Sequence, residues 1–203
     1  MSSSKRYRPV QKRAEGTIEK ILDSMAQLLE VHGYRSLTTN MIAEHAEVSI
    51  GTVYRYFSDK DQLLIALSDR ATADITHMLL VTLTKMVNLG TDEMVRLFVE
   101  ALVGAIEANR GVITAVVGEV PLGTQSNMLP GVEQQLEQFA RIHLAIQFPE
   151  LDDATIDELV YIGMGVGLSA ALRIAIDRPA NLDRDRLIDR TATLLTKGLF
   201  AIA

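Results

Sequence analysis

Apolar residues recur at helical spacing along almost the whole chain, and no stretch shows the apolar–polar alternation that is typical of a strand. The first helical pattern extends from about Gln11 to His32, and Gly33 fits the left-handed position that follows a last helical turn. One face of this helix carries Ile18, Ile21, Leu22, Met25, Leu28 and Leu29. The pattern predicts an all-helical protein.

Two short helices are expected next. Thr38 and Ser49 can each accept a hydrogen bond from a backbone N–H group one turn later, so each predicts a helix start. Only a short turn separates the two helices, and Ala43 and Ala46 are small enough to let them cross closely. The expected shared core is Ile42, Val48, Val53 and Phe57. Together these features form a helix-turn-helix pattern.

The polar face of the second short helix suggests a function. It carries hydroxyl groups and positive charge, and Gly51 removes a side chain where a partner's backbone would approach closely. Such groups contact DNA phosphates, and helix starts at Thr38, Ser49 and Ser58 would also favour anions. From spacing alone, a plain helical hairpin with a solvated polar face stays open. The polar face and its flank consist of Thr52, Tyr54, Arg55, Tyr56 and Lys60.

The order of these residues resembles the DNA-binding signature of the TetR family of bacterial transcriptional regulators. The preceding stretch, which ends in His32-Gly33-Tyr34, resembles that family's first helix and its glycine exit. The resemblance covers roughly the first third of the chain, and a long ordered string is more specific than a lone short motif. Its landmarks are Thr38, Ile42-Ala43, Ala46, Val48-Ser49, Gly51-Thr52, Tyr54, Tyr56-Phe57, Lys60 and Leu63.

The resemblance implies roles for individual positions. Residues expected to touch the DNA backbone are Thr38, Thr39, Asn40, Tyr54, Tyr56 and Lys60, with Ser49 at the second helix start. Residues expected to face or approach the major groove are Ile50, Gly51, Thr52 and Arg55.

Two positions depart from the family's pattern. Glu47 stands where the family usually has glycine in the turn, so either a left-handed conformation there costs on the order of 1 kcal/mol or the turn differs. Ile50 stands where a polar or charged residue is common, so we expect it to make an apolar contact, such as one with a thymine methyl group.

Charge is distributed unevenly along the chain. The formal net charge is -6, yet residues 1–60 hold nine Lys/Arg and seven Asp/Glu. Five cations precede the first acid, and among them Arg6 and Arg8 are expected to lie in an extended arm that reaches phosphates or a minor groove. Pro9 suits such an arm, although a merely solubilising tail stays open.

Composition excludes several classes of site. The chain has no cysteine, which excludes disulfides and thiolate metal sites, and the histidines lie apart from other metal-ligating residues. We therefore predict no metal and no cofactor. The N-terminus lacks the apolar core of a signal peptide, which leads us to expect a cytoplasmic protein.

The rest of the chain is predicted to be helical. A long helix from Asp59 to about Asn88 would link a DNA-binding domain, residues 1–60, to a larger ligand-binding and dimerisation domain, residues 61–203. Residues 118–131 read as a loop because they hold two prolines and three glycines. The remaining helices are expected from Gly90 to Asn109 and over Val132–Gln147, Thr155–Ile176 and Leu182–Ala201, with a short apolar run over Val112–Val117.

The last two helices suggest assembly. Glycine, serine and alanine recur at helical spacing between Gly163 and Ala171, where they would let another helix approach closely. The uncharged run in this helix is shorter than the roughly 20 residues of a membrane span, so we expect no membrane partner. A homodimer is favoured because pairing doubles a short DNA site with fixed spacing, and the layout resembles the family's four-helix dimer interface.

The predicted function is a ligand-responsive transcriptional regulator, most simply a repressor that binds a near-palindromic operator as a homodimer. A largely apolar small-molecule effector is expected, although plain core packing is the alternative for each residue chosen for its pocket. These residues are Phe98, Leu102, Val117, Phe139, His143 and Met164. An enzyme is disfavoured because no phosphate loop or nucleophile setting is recognisable. A helical ligand-binding or adaptor protein without specific DNA binding also stays open.

Overall fold

The computed structural model describes residues 8–86, 89–119 and 130–199. Within these ranges the chain is built from helices without a strand, which confirms the predicted all-helical fold. The helices are α1 (Arg8–Ser36), α2 (Thr39–His45), α3 (Ile50–Tyr56), α4 (Lys60–Met86), α5 (Thr91–Ala108), α6 (Arg110–Glu119), α7 (Pro130–Gln147), α8 (Asp153–Ile176) and α9 (Arg184–Leu199).

The chain forms two compact units, and α4 contributes residues to both. The first unit ends at Ala71 and also includes the segment that begins at Gly111, so α6 belongs to it almost entirely. The second unit takes the remainder of the described chain. The division therefore lies inside α4 and not at residue 60, because the first turns of α4 supply Leu63 and Leu67 to the core of the first unit.

The core of the first unit is formed by the apolar faces of α1, α2, α3, α4 and α6. The side chains of Ile21, Met25, Ile42 and Val53 are fully buried in it, and the predicted partners Val48 and Phe57 pack against it partly buried. Gly111 lies close to α1, where a β-carbon would come within 3.3 Å of the backbone nitrogen of Glu30. A larger residue at position 111 would push the two helices apart.

The second unit packs α5 against α8 and α9, with α7 against α8. Arg184 at the start of α9 forms a two-pronged, partly buried ion pair with Glu107 near the end of α5. The hydrogen bonds that the Arg184 guanidinium donates to the Glu107 carboxylate raise the pKa of Arg184. This pair fixes the start of α9 against α5 in a geometry that arginine and carboxylate favour.

Helix ends differ from the sequence prediction at several points. The run Val112–Val117 is part of helix α6, since Asn109 alone interrupts the helical chain between α5 and α6. The predicted loop over 118–131 is shortened at both ends by α6 and α7, and residues 120–129 lie outside the described residues. α1 begins at Arg8, with Pro9 in its first turn, where the missing N–H of proline has no helical partner to lose.

Helix α8 is the one helix in the described ranges that is long and apolar enough to cross a membrane by length and composition. The expectation that its uncharged run is too short is therefore not decisive, because the helix as a whole has 24 residues. Helices of this composition also form the cores of soluble proteins, and here α8 contacts α5, α7 and α9.

Candidate nucleic-acid interface

Helix α2 begins where the sequence predicts. Thr38 has extended backbone angles, and its hydroxyl oxygen accepts from the backbone N–H of Met41 at 3.2 Å. This hydrogen bond satisfies one of the free donors of the first turn. Thr39 and Asn40 follow in the first turn with exposed or partly exposed side chains, so the polar end of α2 is accessible.

Helix α3 is capped in the same way by Ser49. The Ser49 hydroxyl oxygen accepts from the backbone N–H of Thr52 at 3.1 Å and also lies 2.8 Å from the Thr52 hydroxyl. The helix buries Val53 against the core and turns Ile50, Gly51, Tyr54 and Arg55 to the surface. The exposed side of α3 therefore carries the residues predicted to approach the major groove.

The two short helices are joined by a hydroxyl contact. The phenol oxygen of Tyr54 on α3 lies 3.2 Å from the hydroxyl of Thr39 on α2, and the Tyr54 side chain is half exposed. Neighbouring hydroxyl groups that are still accessible can donate to phosphate oxygens. This contact brings two of the predicted backbone-binding residues together at one place.

Lys60, at the first position of α4, is held by Tyr34. Its ammonium group donates to the backbone carbonyl oxygen of Tyr34 at 2.9 Å and lies 4.1 Å from the centre of the Tyr34 ring. The Tyr34 hydroxyl in turn donates to the Asp61 carboxylate. The ammonium has three donors, so contact with the carbonyl leaves capacity for an anion.

The start of α4 is capped by Asp59. Its carboxylate accepts from the backbone N–H of Gln62 at 2.8 Å and from the Ser58 hydroxyl at 2.8 Å. Both hydrogen bonds hold the pKa of Asp59 below its usual value, and the bond from Gln62 has the larger effect. A carboxylate therefore already occupies the start of α4, and its charge would oppose the phosphate predicted at Ser58.

Glu47 adopts the left-handed conformation in the turn, with φ of 50°. Its carboxylate accepts from the Lys20 ammonium at 2.9 Å, and this contact lowers the pKa of Glu47. The turn is therefore left-handed at Glu47 although this residue is not glycine. The packing of α2 and α3 on either side of Glu47 stabilises this strained backbone conformation.

Glycine at position 51 is not required by the protein's own packing. A β-carbon there would meet nothing closer than the Ser49 hydroxyl at 3.8 Å. Arg55 lies beside it on the exposed face, with its guanidinium 5.8 Å from the centre of the Tyr56 ring. Tyr56 is partly buried and packs against the core of the first unit, so its predicted backbone contact depends on its hydroxyl.

The predicted N-terminal arm differs from the structure. Arg8 is the first residue of α1 and is therefore helical, not extended. Arg6 lies outside the described residues.

A cavity lies within the second unit, between α5, α7, α8 and α9. Its empty space is about 660 Å³, including the part that is open to solvent. The lining is apolar throughout and consists of Met94, Val95, Phe98, Leu136, Phe139, Ala140, Leu144, Leu159, Val160, Gly163, Met164 and Leu195.

Three of the six residues predicted to bind a ligand line this cavity: Phe98, Phe139 and Met164. Leu102 and His143 are buried but do not line it, and Val117 is on α6, where its side chain is not described. The sequence reasoning missed most of the α7 and α8 lining. The spacing of Leu136, Ala140 and Leu144 was the available signal, since it places three residues on one helix face.

His143 is close to this cavity without forming its surface. Its ring is stacked on the Phe139 ring with centroids 6.4 Å apart. Nε2 of His143 is buried and has no hydrogen-bond partner in the structure as described. Burial lowers the pKa of this histidine, so the imidazole is neutral near pH 7.

Residues 21–67 match the family described as "Bacterial regulatory proteins, tetR family". The chain is 49% identical over 51 residues to an uncharacterised HTH-type transcriptional regulator, YvkB, of Bacillus subtilis, and 40% identical over 48 residues to the HTH-type transcriptional repressor KstR of Rhodococcus jostii. These alignments span 25% and 24% of this chain and 27% and 23% of the relatives' own lengths.

The similarity of fold extends further than the similarity of sequence. A transcriptional regulator of the TetR/AcrR family from Thermobifida fusca superposes with a TM-score of 0.65 at 16% identity, over 92% of this chain and 98% of that one. At this identity the superposition shows the fold alone. The predicted resemblance is confirmed: residues 21–67 match the TetR family of bacterial transcriptional regulators, and the described chain has the fold of that family.

Proposed function

We propose that this protein is a homodimeric, ligand-responsive transcriptional repressor that binds a near-palindromic operator. The observation that carries the proposal is the exposed face of α2 and α3, where the hydroxyls of Thr39 and Tyr54 meet beside a helix end capped by Ser49. The name of the KstR relative supports repression as the direction of the response.

Contacts to the DNA backbone would come from the rim of this face. Thr38, Thr39, Asn40, Tyr54 and Lys60 present hydroxyl, amide and ammonium donors at the ends of three helices. Phosphate contacts of this kind fix position and orientation but carry no sequence information.

Base readout would come from the exposed positions of α3. Thr52 and Arg55 offer hydrogen-bonding groups, and Ile50 is 37% exposed, which gives an apolar contact for a thymine methyl group. Gly51 lets the helix backbone approach the groove, since no side chain stands between them.

A dimer through α8 and α9 is supported by large apolar side chains on their open faces. Tyr161 is 80% exposed on α8 and Leu194 is 62% exposed on α9. Gly165 stands beside Tyr161 with nothing near its β-carbon position, which leaves room for a partner helix. Two recognition helices in such a dimer would enter successive major grooves roughly 34 to 36 Å apart.

The effector would occupy the cavity of the second unit. The apolar lining favours an apolar molecule, because the desolvation penalty of a charged group there would exceed the favourable free energy of its contacts. To act as a switch, the effector must bind more tightly to the conformation that does not bind DNA. α4 would transmit the change along the chain, since it begins in the first unit and ends in the second.

The test is fluorescence anisotropy with duplexes that tile the DNA flanking this protein's own gene, at one moderate salt concentration. We expect wild type to bind one near-palindromic duplex tightly, and Tyr54→Phe and Lys60→Ala to weaken that binding. Equally weak binding to every duplex, unchanged in both variants, would refute the operator at that locus and favour the adaptor alternative.

A further inference from the structure

The face of α7 that lines the cavity has a buried histidine at its centre. At 3.6 residues per turn, position 143 follows position 136 by about two turns on the same side of the helix. The neighbouring positions on that side, Leu136, Phe139, Ala140 and Leu144, all line the cavity. His143 is buried and does not line the cavity itself, so it lies behind the cavity surface.

The unpaired nitrogen of this histidine is costly. His143 is 7% exposed, and its Nε2 has no hydrogen-bond partner within the part of the chain that the structure describes. Nearly all buried polar atoms in proteins are paired, because an unpaired one forfeits its interaction with water without replacement. A leucine or phenylalanine would fill this place without that cost, which makes the nitrogen a candidate for a ligand contact.

Phe139 links the cavity to the imidazole of His143. Its ring lies in the cavity wall and stacks on the imidazole with an interplanar angle of 21°. Side chains change rotamer more readily than the backbone moves, so a rotamer change of Phe139 is the movement by which we expect a ligand in the cavity to reach Nε2.

We propose that the cavity takes an apolar molecule with a single uncharged hydrogen-bonding group, such as a hydroxyl, and that this group pairs with Nε2 of His143. A hydroxyl can donate or accept, so it suits either tautomer of a neutral imidazole. An anionic ligand is disfavoured, because no described lining residue carries a positive charge. This assignment rests on the proposed function only in treating the cavity as the effector site.

The test uses three probes of matched shape: 1-naphthol, 1-methylnaphthalene and 1-naphthoate. The chain has no tryptophan, so naphthalene fluorescence excited at wavelengths beyond the absorption of its five tyrosines reports on the probes alone. We expect full-length wild type to bind 1-naphthol about tenfold more tightly than 1-methylnaphthalene, and to bind 1-naphthoate most weakly.

His143→Phe is the informative variant, since it keeps an aromatic ring and removes the nitrogen. It should bind 1-naphthol and 1-methylnaphthalene equally, with the affinity for 1-methylnaphthalene unchanged from wild type. Equal binding of the two probes by wild type, a preference that persists in His143→Phe, or no binding of either probe would overturn the proposal.

A second measurement needs no variant. The other histidines, His32, His45 and His77, are exposed. The imidazole ¹⁵N signals of buried His143 can therefore be recognised because its ring proton exchanges slowly with water. 1-Naphthol should shift its Nε2 signal, whereas 1-methylnaphthalene should leave that signal nearly in place. An identical response to both probes would contradict pairing at this nitrogen.

DNA anisotropy without any probe separates this proposal from the one on which it rests. Failure to bind any flanking duplex, together with a naphthol preference that depends on His143, would refute the regulator and keep the ligand site. Tight operator binding without a naphthol preference would support the regulator and refute the ligand site at His143.

Discussion

Lys60 and Tyr34 are joined twice, through a hydrogen bond of 2.9 Å to the tyrosine carbonyl and through the tyrosine ring, whose centre lies 4.1 Å from the ammonium. The two residues come from different helices, so the end of α1 determines where the first cation of α4 points. A lysine held in this way reaches a phosphate with less loss of side-chain freedom than a free one.

Tyr34→Leu should therefore weaken DNA binding several-fold, because it removes the ring that orients Lys60. A cation–π contact of this kind contributes about 0.5 to 1 kcal/mol at an exposed site. Tyr34→Phe is the matched control, since it keeps the ring and the carbonyl and removes the hydroxyl that donates to Asp61. Anisotropy in the Lys60→Met background provides the decisive comparison, because Tyr34→Leu should have little further effect there. An equal loss in both backgrounds would show that Tyr34 acts through the fold instead.

Gly51→Ala should separate DNA binding from stability. Alanine has room in the protein and stabilises a helix relative to glycine, so the free energy of unfolding should be unchanged or rise by up to about 1 kcal/mol. DNA affinity should fall at least tenfold if the backbone of α3 approaches the groove. Gly104→Ala on α5 is the control, since it is equally open and belongs to the other unit. Full DNA affinity in Gly51→Ala would show that α3 does not approach DNA at this residue.

Tyr161→Glu should convert the proposed dimer to a monomer, because it places a charge on the exposed apolar face of α8. Ile146→Glu is the matched control, since Ile146 is 70% exposed on α7 and Tyr161 is 80% exposed. Sedimentation equilibrium distinguishes the two variants. Dissociation caused by Ile146→Glu and not by Tyr161→Glu would move the interface to α7.

The stability of the wild type should fall as the pH is lowered through 6.5, and part of this fall should come from His143. Burial holds the pKa of His143 below its usual value of 6.5. The unfolded chain therefore binds a proton at a higher pH than the folded chain, and the free energy of unfolding decreases until the folded pKa is reached. Urea unfolding from pH 8 to pH 5 should show a shallower decrease in His143→Phe than in wild type. Parallel curves would mean that His143 is not desolvated.

Local signals in the sequence were sufficient for the DNA-binding segment. The caps at Thr38 and Ser49 and the positive φ at Gly33 all follow from rules that involve only a few neighbouring residues. The predicted core of Ile42 and Val53 is fully buried for the same reason.

Features that depend on contacts between distant residues could not be predicted in this way. Tyr34 contacts Lys60, which lies 26 residues later in the chain. Gly111 packs closely against Glu30 of α1, although helices α2 to α5 separate the two residues in the sequence. The cavity is the clearest example, since its lining combines α5, α7, α8 and α9. Of the bulky residues near the predicted loop, Phe98, Phe139 and Met164 line the cavity, whereas Leu102 is buried and does not line it.

The most direct test of the account is the specificity ratio of the full-length protein, which is its affinity for the tightest flanking duplex divided by its affinity for a scrambled duplex of the same composition. The ratio should be measured from roughly 50 to 200 mM salt. We expect both affinities to fall steeply with salt while the flanking duplex stays at least about a thousandfold tighter, as in specific protein–DNA complexes. A ratio near one at every salt concentration would contradict sequence-specific binding by α3.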